Sequence, residues 1–275
     1  MGTMNLYDVA PADVRPLLID ERTDLLRFMR SLAPAEWAVS SAAPGWSVKD
    51  LALHLLDDDL GWLSRGRDGD RTGLLSVSDH GAFIEALAAK NQRWIDGAQG
   101  LSAPVIIGLL EWAGHEMDAY YSTMDLEGDG QVGWASDGRV PIWFDIAQDL
   151  TERWVHQMQM REAVGRVEGY ADTYRPTVLR TFVWALPHQY RVDASPGATV
   201  QIDLNSGGSW HLTCEGSTRW SLDEGVVNQP DAHAAFSDDA GWRWLTGASL
   251  PPHGVLLRGP ANLTEPLLRV RGILA

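Results

Sequence analysis

Apolar residues recur along this chain with two different periods, and the change from one to the other divides it. Up to about residue 166 the steps are three and four, the helical repeat. Ala12 to Leu32 places Val14, Leu17, Leu18, Leu25, Leu26 and Met29 at that spacing and predicts a first helix, whose charged positions read as an outer, solvent-facing surface. A second helix starts at Ser47, with Asp50 three positions on as a short stand-in for the Glu of a capping box. It repeats through Leu51, Leu55, Leu56, Leu60 and Leu63 before a loop from Ser64 to Gly73. A third is expected from about Asp79 to Gln99, with Phe83, Leu87, Ala88 and Trp94 inward, and a fourth from about Ser102 to Met124. In a fifth, Pro141 suits the first turn, Gly165 suits a stop, and Trp143, Ala147, Leu150, Trp154 and Met158 form the apolar stripe. Helices in series with short connections predict an antiparallel four-helix bundle.

Beyond Gly165 the pattern changes. Val167 to Pro176 reads as a linker, followed by a helix from Thr177 to about Gln189. From Thr199 the period becomes two: residues 199–205, 209–215 and 218–222 alternate as strands, with Gly207-Gly208 and Glu215-Gly216 at the turns. Ala232 to Phe236 is a further strand candidate, and Asp238 to Leu245 and Leu263 to Arg269 read as helical. The expected fold class is therefore α+β with two domains, a helical bundle over 1–168 and a small α+β domain over 177–275.

A length of 275 residues is ample for such a division. The net charge of −15 disfavours phosphate backbones and anionic lipid surfaces, which leaves a small molecule as the expected partner rather than nucleic acid or membrane. One cysteine excludes an intramolecular disulfide, and Cys214 shares a strand face with Trp210 and Leu212, a core position. The opening MGTMNLYDVAPADV has no basic region followed by an apolar run, and the apolar-rich run from Leu101 to Leu110 is roughly half a membrane span, so a cytoplasmic location is expected. Monomer and homodimer both remain open.

The polar positions carry the candidate chemistry. On the fifth helix Asp145, Gln148, Asp149, Glu152, His156 and Gln159 form a stripe opposite the apolar one, and Glu152 and His156, four residues apart, can converge on one ion. On the second helix His54 lies on the polar side with Ser47, Asp50 and Asp58. A polar stripe is ordinarily a solvated face. If the two stripes instead face each other, they supply two imidazoles and a carboxylate, the three protein ligands of a catalytic zinc site whose fourth position stays open. Spacing alone does not choose between these readings.

The segments GWSVKDLALHL, from Gly45, and TERWVHQMQMREAVGR, from Thr151, resemble the two signature stretches of the mycothiol-dependent maleylpyruvate isomerase family, within the wider DinB-like metal-binding four-helix bundles. The resemblance spans about the first two thirds of the chain. It implies that His54, Glu152 and His156 bind zinc, although nickel or iron suits the same ligand types, and that mycothiol is the thiol cosubstrate. It also implies a sterol-carrier-like C-terminal domain, on a weaker match of pattern. A metal-coordinated thiol is held as thiolate. In the family's reaction its sulfur adds to the cis double bond of a maleylpyruvate-like acid, the carbon–carbon bond rotates, and elimination returns the trans product. The same thiolate can undergo S-transfer to an electrophile. The family's catalytic arginine belongs to the C-terminal half, where Arg180, Arg191, Arg219, Arg243, Arg258, Arg269 and Arg271 are the candidates and none aligns securely. A bundle that binds a metal or small ligand without turnover is the alternative, and an acidic cleft from Asp57, Asp58, Asp145 and Asp149 suits it.

Other constellations are set aside. Glu111, His115 and Asp118 share a face of the fourth helix, but a charge-paired exposed stripe explains them. Gly128, Gly130 and Gly133 spell a dinucleotide fingerprint in the wrong context, after a helix and beside the repelling Asp129. An EF-hand beginning at Asp125 would place Ser136 where a bidentate Glu is needed. In that glycine-rich loop Val132 and Trp134 suggest a short strand or flap, and Trp134, of thirteen tryptophans mostly explained by packing, is the one expected to line a pocket, as is Asp58.

Overall fold

A computed structural model describes residues 6–73, 75, 80–130 and 139–272. In chain order the helices α1 (Arg15–Arg30), α2 (Val48–Trp62), α3 (His80–Ala98), α4 (Ala103–Ser122) and α5 (Ile142–Ala163) come first. Then follow α6 (Ala171–Phe182), α7 (Leu186–Gln189), β1 (Thr199–Leu204), β2 (Gly208–Gly216), β3 (Arg219–Glu224), β4 (Ala232–Phe236), α8 (Asp238–Thr246), β5 (Val255–Arg258) and α9 (Ala261–Thr264). The class is α+β, a helical N-terminal region and a C-terminal five-stranded sheet with helices.

The chain divides into two compact units. One comprises Arg15–Met124 and Arg153–Val167; the other takes the described residues of Met1–Val14, Asp125–Glu152 and Glu168–Ala275. In the first, α4 packs on α1 and α2, and α3 packs on α2. Its core takes up the expected Leu18, Leu25, Met29, Leu51, Leu55 and Leu56 and adds Ile106, Ala113 and Met117 of α4, each no more than 1% exposed. The second half of α5 reaches α1 and α2 through polar side chains, Gln157 to Glu21 and Arg153 to Asp59.

Several expectations change here. The charged positions of α1 are not all outward: Glu21 and Arg22 are buried, because partners on α2 and α5 replace water around them. After Trp62 the chain does not enter a loop at Ser64 but continues as a π-helical stretch, Leu63–Arg67. On α3 Ala88 is exposed, and Ile95 and Ala98 are the buried residues among those described. The fourth-helix stripe is charge-paired as expected, Glu111 to Arg30 at 2.8 Å and Asp118 to Arg22 at 3.5 Å.

In the other unit the sheet order is β3-β2-β1-β4-β5, with β1 and β4 parallel and every other pair antiparallel. Val200, Ile202, Leu212, Leu222 and Ala234 are wholly buried, so one sheet face forms the core while Gln201, Asp203, His211 and His233 share the other. Trp244 of α8 stacks on Phe236 of β4 at 4.1 Å. Cys214 is buried there, and its thiol donates to Ala194 O at 3.3 Å. The stretch read as a linker is helical from Ala171, with Pro176 inside it. Buried Tyr174, Val178, Leu179 and Phe182 supply packing that outweighs the proline's missing donor. Strand β5 was not expected from the alternation and closes the sheet beside β4. The amides of Gly128 and Gly130 donate to Asp125 O and Val140 O, at 3.0 and 2.7 Å, so they are not open to a phosphate. Val132, Gly133 and Trp134 lie outside the described residues.

Candidate metal centre

Local sequence fixes each half of the site. Ser47 caps α2 through a complete capping box: its Oγ accepts from Asp50 N at 3.3 Å while Asp50 Oδ2 accepts from Ser47 N at 2.8 Å. His54 follows about two turns later, on a helix whose other side is pinned by the wholly buried Leu51, Leu55 and Leu56. On α5 the wholly buried Leu150 and Trp154 hold the apolar face. The opposite stripe is not solvated. Asp145, Gln148, Asp149, His156 and Gln159 are each less than a tenth exposed, and Glu152 is half-buried. Polar groups withdrawn from water need partners.

The partners converge. The rings of His54 and His156 lie 4.8 Å apart, nearly perpendicular at 88°. One donor atom from each of His54, Glu152 and His156 falls within 4.8 Å of the others, an arrangement that can hold a metal ion. Gln159 Oε1 is 2.8 Å from His156 Nδ1. A carbonyl oxygen only accepts, so Nδ1 carries the hydrogen and Nε2 keeps its lone pair for a ligand. His54 Nε2 faces Asp58 Oδ2 at 3.4 Å, whereas His54 Nδ1 is buried with no hydrogen bond among the described residues. Such a group costs about 1–3 kcal/mol, and a cation at the site would remove that cost. The donor set, two imidazoles and a carboxylate, fits zinc.

Burial pushes His54 well below the usual histidine range, and the nearby His156 and Lys90 push it the same way. His54 is thus neutral at neutral pH, the form that ligates. It follows that the metal-free protein loses stability on acidification. Below about pH 6.5 the unfolded chain takes up a proton at this histidine that the folded chain refuses, by at most about 1.4 kcal/mol per pH unit until the folded value is reached. Thermal midpoints of wild type and His54→Leu, measured from pH 8 to 5, should diverge below 6.5 with wild type falling more steeply; parallel curves would refute it.

Trp46 completes the surroundings. Its ring lies 5.0 Å from that of His54 and 6.4 Å from that of His156, and its Nε1 donates to Gln92 Oε1 at 3.1 Å. Asp58 stands beside His54 as the sequence suggested, whereas Asp57 is paired with Lys90 at 2.6 Å. The roles of Trp46 and Gln159 were not read from the sequence. The signal for Gln159 was available, since it stands three residues from His156 on the same stripe.

The family model described as the mycothiol maleylpyruvate isomerase N-terminal domain matches residues 18–161, just over half of the 275. The chain belongs to this family. The matched range of the isomerase family model contains His54, Glu152 and His156 together. Among solved structures, the mycothiol-dependent maleylpyruvate isomerase is similar at a TM-score of 0.58 and 16% identity, over 92% of this chain and 95% of that one. A histidine-to-alanine mutant of that isomerase matches at 0.58 and 15%, with the same coverage. At such identity the likeness establishes a shared fold. No curated protein matches the sequence. Among the described residues no helix is long and apolar enough to cross a membrane.

If Gln159 fixes the tautomer of a ligand, Gln159→Leu should weaken zinc binding about 10–100-fold with little change in helicity. Competition against a chromophoric chelator measures this, and wild-type affinity in the variant would contradict it.

Proposed function

We propose that this protein is a metal-dependent enzyme that uses mycothiol as its activated thiol, in cis–trans isomerisation of a maleylpyruvate-like acid. The observation that carries this reading is the convergence of buried His54 and His156 and half-buried Glu152 from two helices within a chain of the isomerase family. A zinc ion held there would supply Lewis acidity and lower the pKa of a coordinated thiol. The chain's own residues do the rest. His54 stays neutral through burial. Gln159 orients the His156 ring and determines which nitrogen faces the site. Trp46 covers both imidazoles with an apolar face and keeps water from that side.

S-transfer to a neutral electrophile is a second reading, and two observations favour it. Asp58 places a carboxylate beside His54, unfavourable for a dianionic substrate. Three of the candidate arginines are also engaged: Arg180 by Glu224 at 2.6 Å, Arg243 by Asp239 at 2.8 Å, and Arg271 by the carbonyls of Trp244, Leu268 and Val270. Incubation of zinc-loaded protein with mycothiol and either maleylpyruvate or a panel of neutral electrophiles separates the readings. Conversion of maleylpyruvate without net thiol consumption supports isomerisation; stoichiometric thiol loss supports S-transfer. Neither, with zinc bound, leaves the non-catalytic metal- or ligand-binding bundle.

A further inference from the structure

Behind the candidate centre the two ligand-bearing helices are joined by charges that no step above uses. Asp59 of α2 is 1% exposed, and its carboxylate accepts from two guanidinium groups. Arg22 Nη1 of α1 donates to both carboxylate oxygens at 3.2 Å, and Arg153 Nη2 of α5 donates to Oδ1 in a short bond. Arg153 is also 1% exposed and stands between Glu152 and His156 in sequence, while Asp59 follows His54 by five residues. At about 100° per residue, five residues turn Asp59 some 140° away from His54 on α2, whereas Arg153, three residues before His156, is its neighbour on α5, so the cluster joins α2 to α5 beside the imidazole of His156 and turned away from that of His54. A neighbouring tie runs the same way: Gln157 Nε2 donates to Glu21 Oε1 at 2.6 Å, and Arg161 Nε donates to Gln157 Oε1 at 2.9 Å.

Stability does not explain such an arrangement by itself. Desolvating a buried ion pair offsets most of its attraction, and apolar residues of similar volume usually serve the fold as well or better. What charge-assisted guanidinium hydrogen bonds provide and apolar packing lacks is direction, since bonds of fixed length and angle resist sliding of one helix along the other.

We propose that the Arg22, Asp59 and Arg153 cluster is a positioning device that sets the register of α2 against α5, and through it the spacing of His54 from Glu152 and His156 on which metal affinity depends. The proposal rests on the metal-site reading above. It makes Asp59 and Arg153 positioning residues, neither of which touches the ion.

Full-length metal-free protein tests it, with zinc affinity from chelator competition and the visible absorption of the cobalt-loaded form as a report on ligand geometry. Arg153→Met is expected to stay folded, to bind zinc at least about tenfold more weakly, and to show an altered cobalt spectrum; Arg153→Lys, which keeps the charge but not the planar guanidinium, recovers part of both. Because Arg153→Met leaves Asp59 with one of its two guanidinium partners, and Arg22 also pairs with Asp118, the quadruple variant Arg22→Leu, Asp59→Leu, Asp118→Asn, Arg153→Met removes two positive and two negative charges together and is expected to fold at least as stably while still binding zinc weakly. A folded variant of either kind with wild-type affinity and spectrum overturns the proposal. Failure of both to fold also overturns it, by making the cluster a requirement of the fold rather than of the spacing. Wild type that binds neither zinc nor cobalt would sink the metal-site reading itself, an outcome distinct from the other two.

Discussion

His156→Ala is expected to strip the chain of tightly bound zinc. Partners that merely orient a ligand are worth about 10–100-fold in affinity, so removal of a ligand should cost more than that and reduce metal content after dialysis from near stoichiometric to background. His54→Ala should do the same, and Glu152→Gln, which keeps the shape but loses the charge, should fall between. The effect is separable from unfolding. Alanine is a better helix former than histidine by a few tenths of a kcal/mol, and the lost imidazole faces other polar groups rather than the apolar core. Helicity should therefore be retained. Unchanged zinc content in folded His156→Ala would remove the basis for any metal chemistry in this protein.

That experiment could be designed from sequence because its elements are local. Spacing of four along one helix brought Glu152 and His156 together, the polar side of a second helix singled out His54, and the structure puts the three within 4.8 Å. Pattern could not reveal that the α5 stripe and His54 are buried, for a polar face reads alike whether it meets water or another polar face. The same ambiguity hid Glu21, Arg22, Asp59 and Arg153. Asp59 finds its arginines 37 and 94 residues away in the chain, and no local period records such pairing. In the C-terminal half the misses have other causes. Pro176 reads as a breaker, yet Tyr174, Val178 and Phe182 continue an apolar stripe across it. Strand β5 has only four residues between Gly254 and Gly259, with Leu256 left 42% exposed at the sheet edge, so it carries too little alternation to be seen.

Trp154→Ala should give the largest loss of stability, about 3–5 kcal/mol, from a total of the order of 5–15 kcal/mol for a domain. Trp154 is wholly buried on the face of α5 opposite the ligands, flanked by Leu150 and Met158, so its removal leaves a cavity where the helix is held. The urea midpoint should drop with the slope unchanged. Because the ligand stripe remains, zinc should restore part of the loss: at a free concentration 100 times the dissociation constant, binding to the folded state alone contributes about 2.7 kcal/mol. The same addition should leave His156→Ala unmoved. A loss below about 1 kcal/mol would mean that this face does not anchor the helix. A midpoint in Trp154→Ala that ignores zinc would mean that the two faces of α5 are coupled, so that the ligands cannot keep their places once the apolar side is hollowed out.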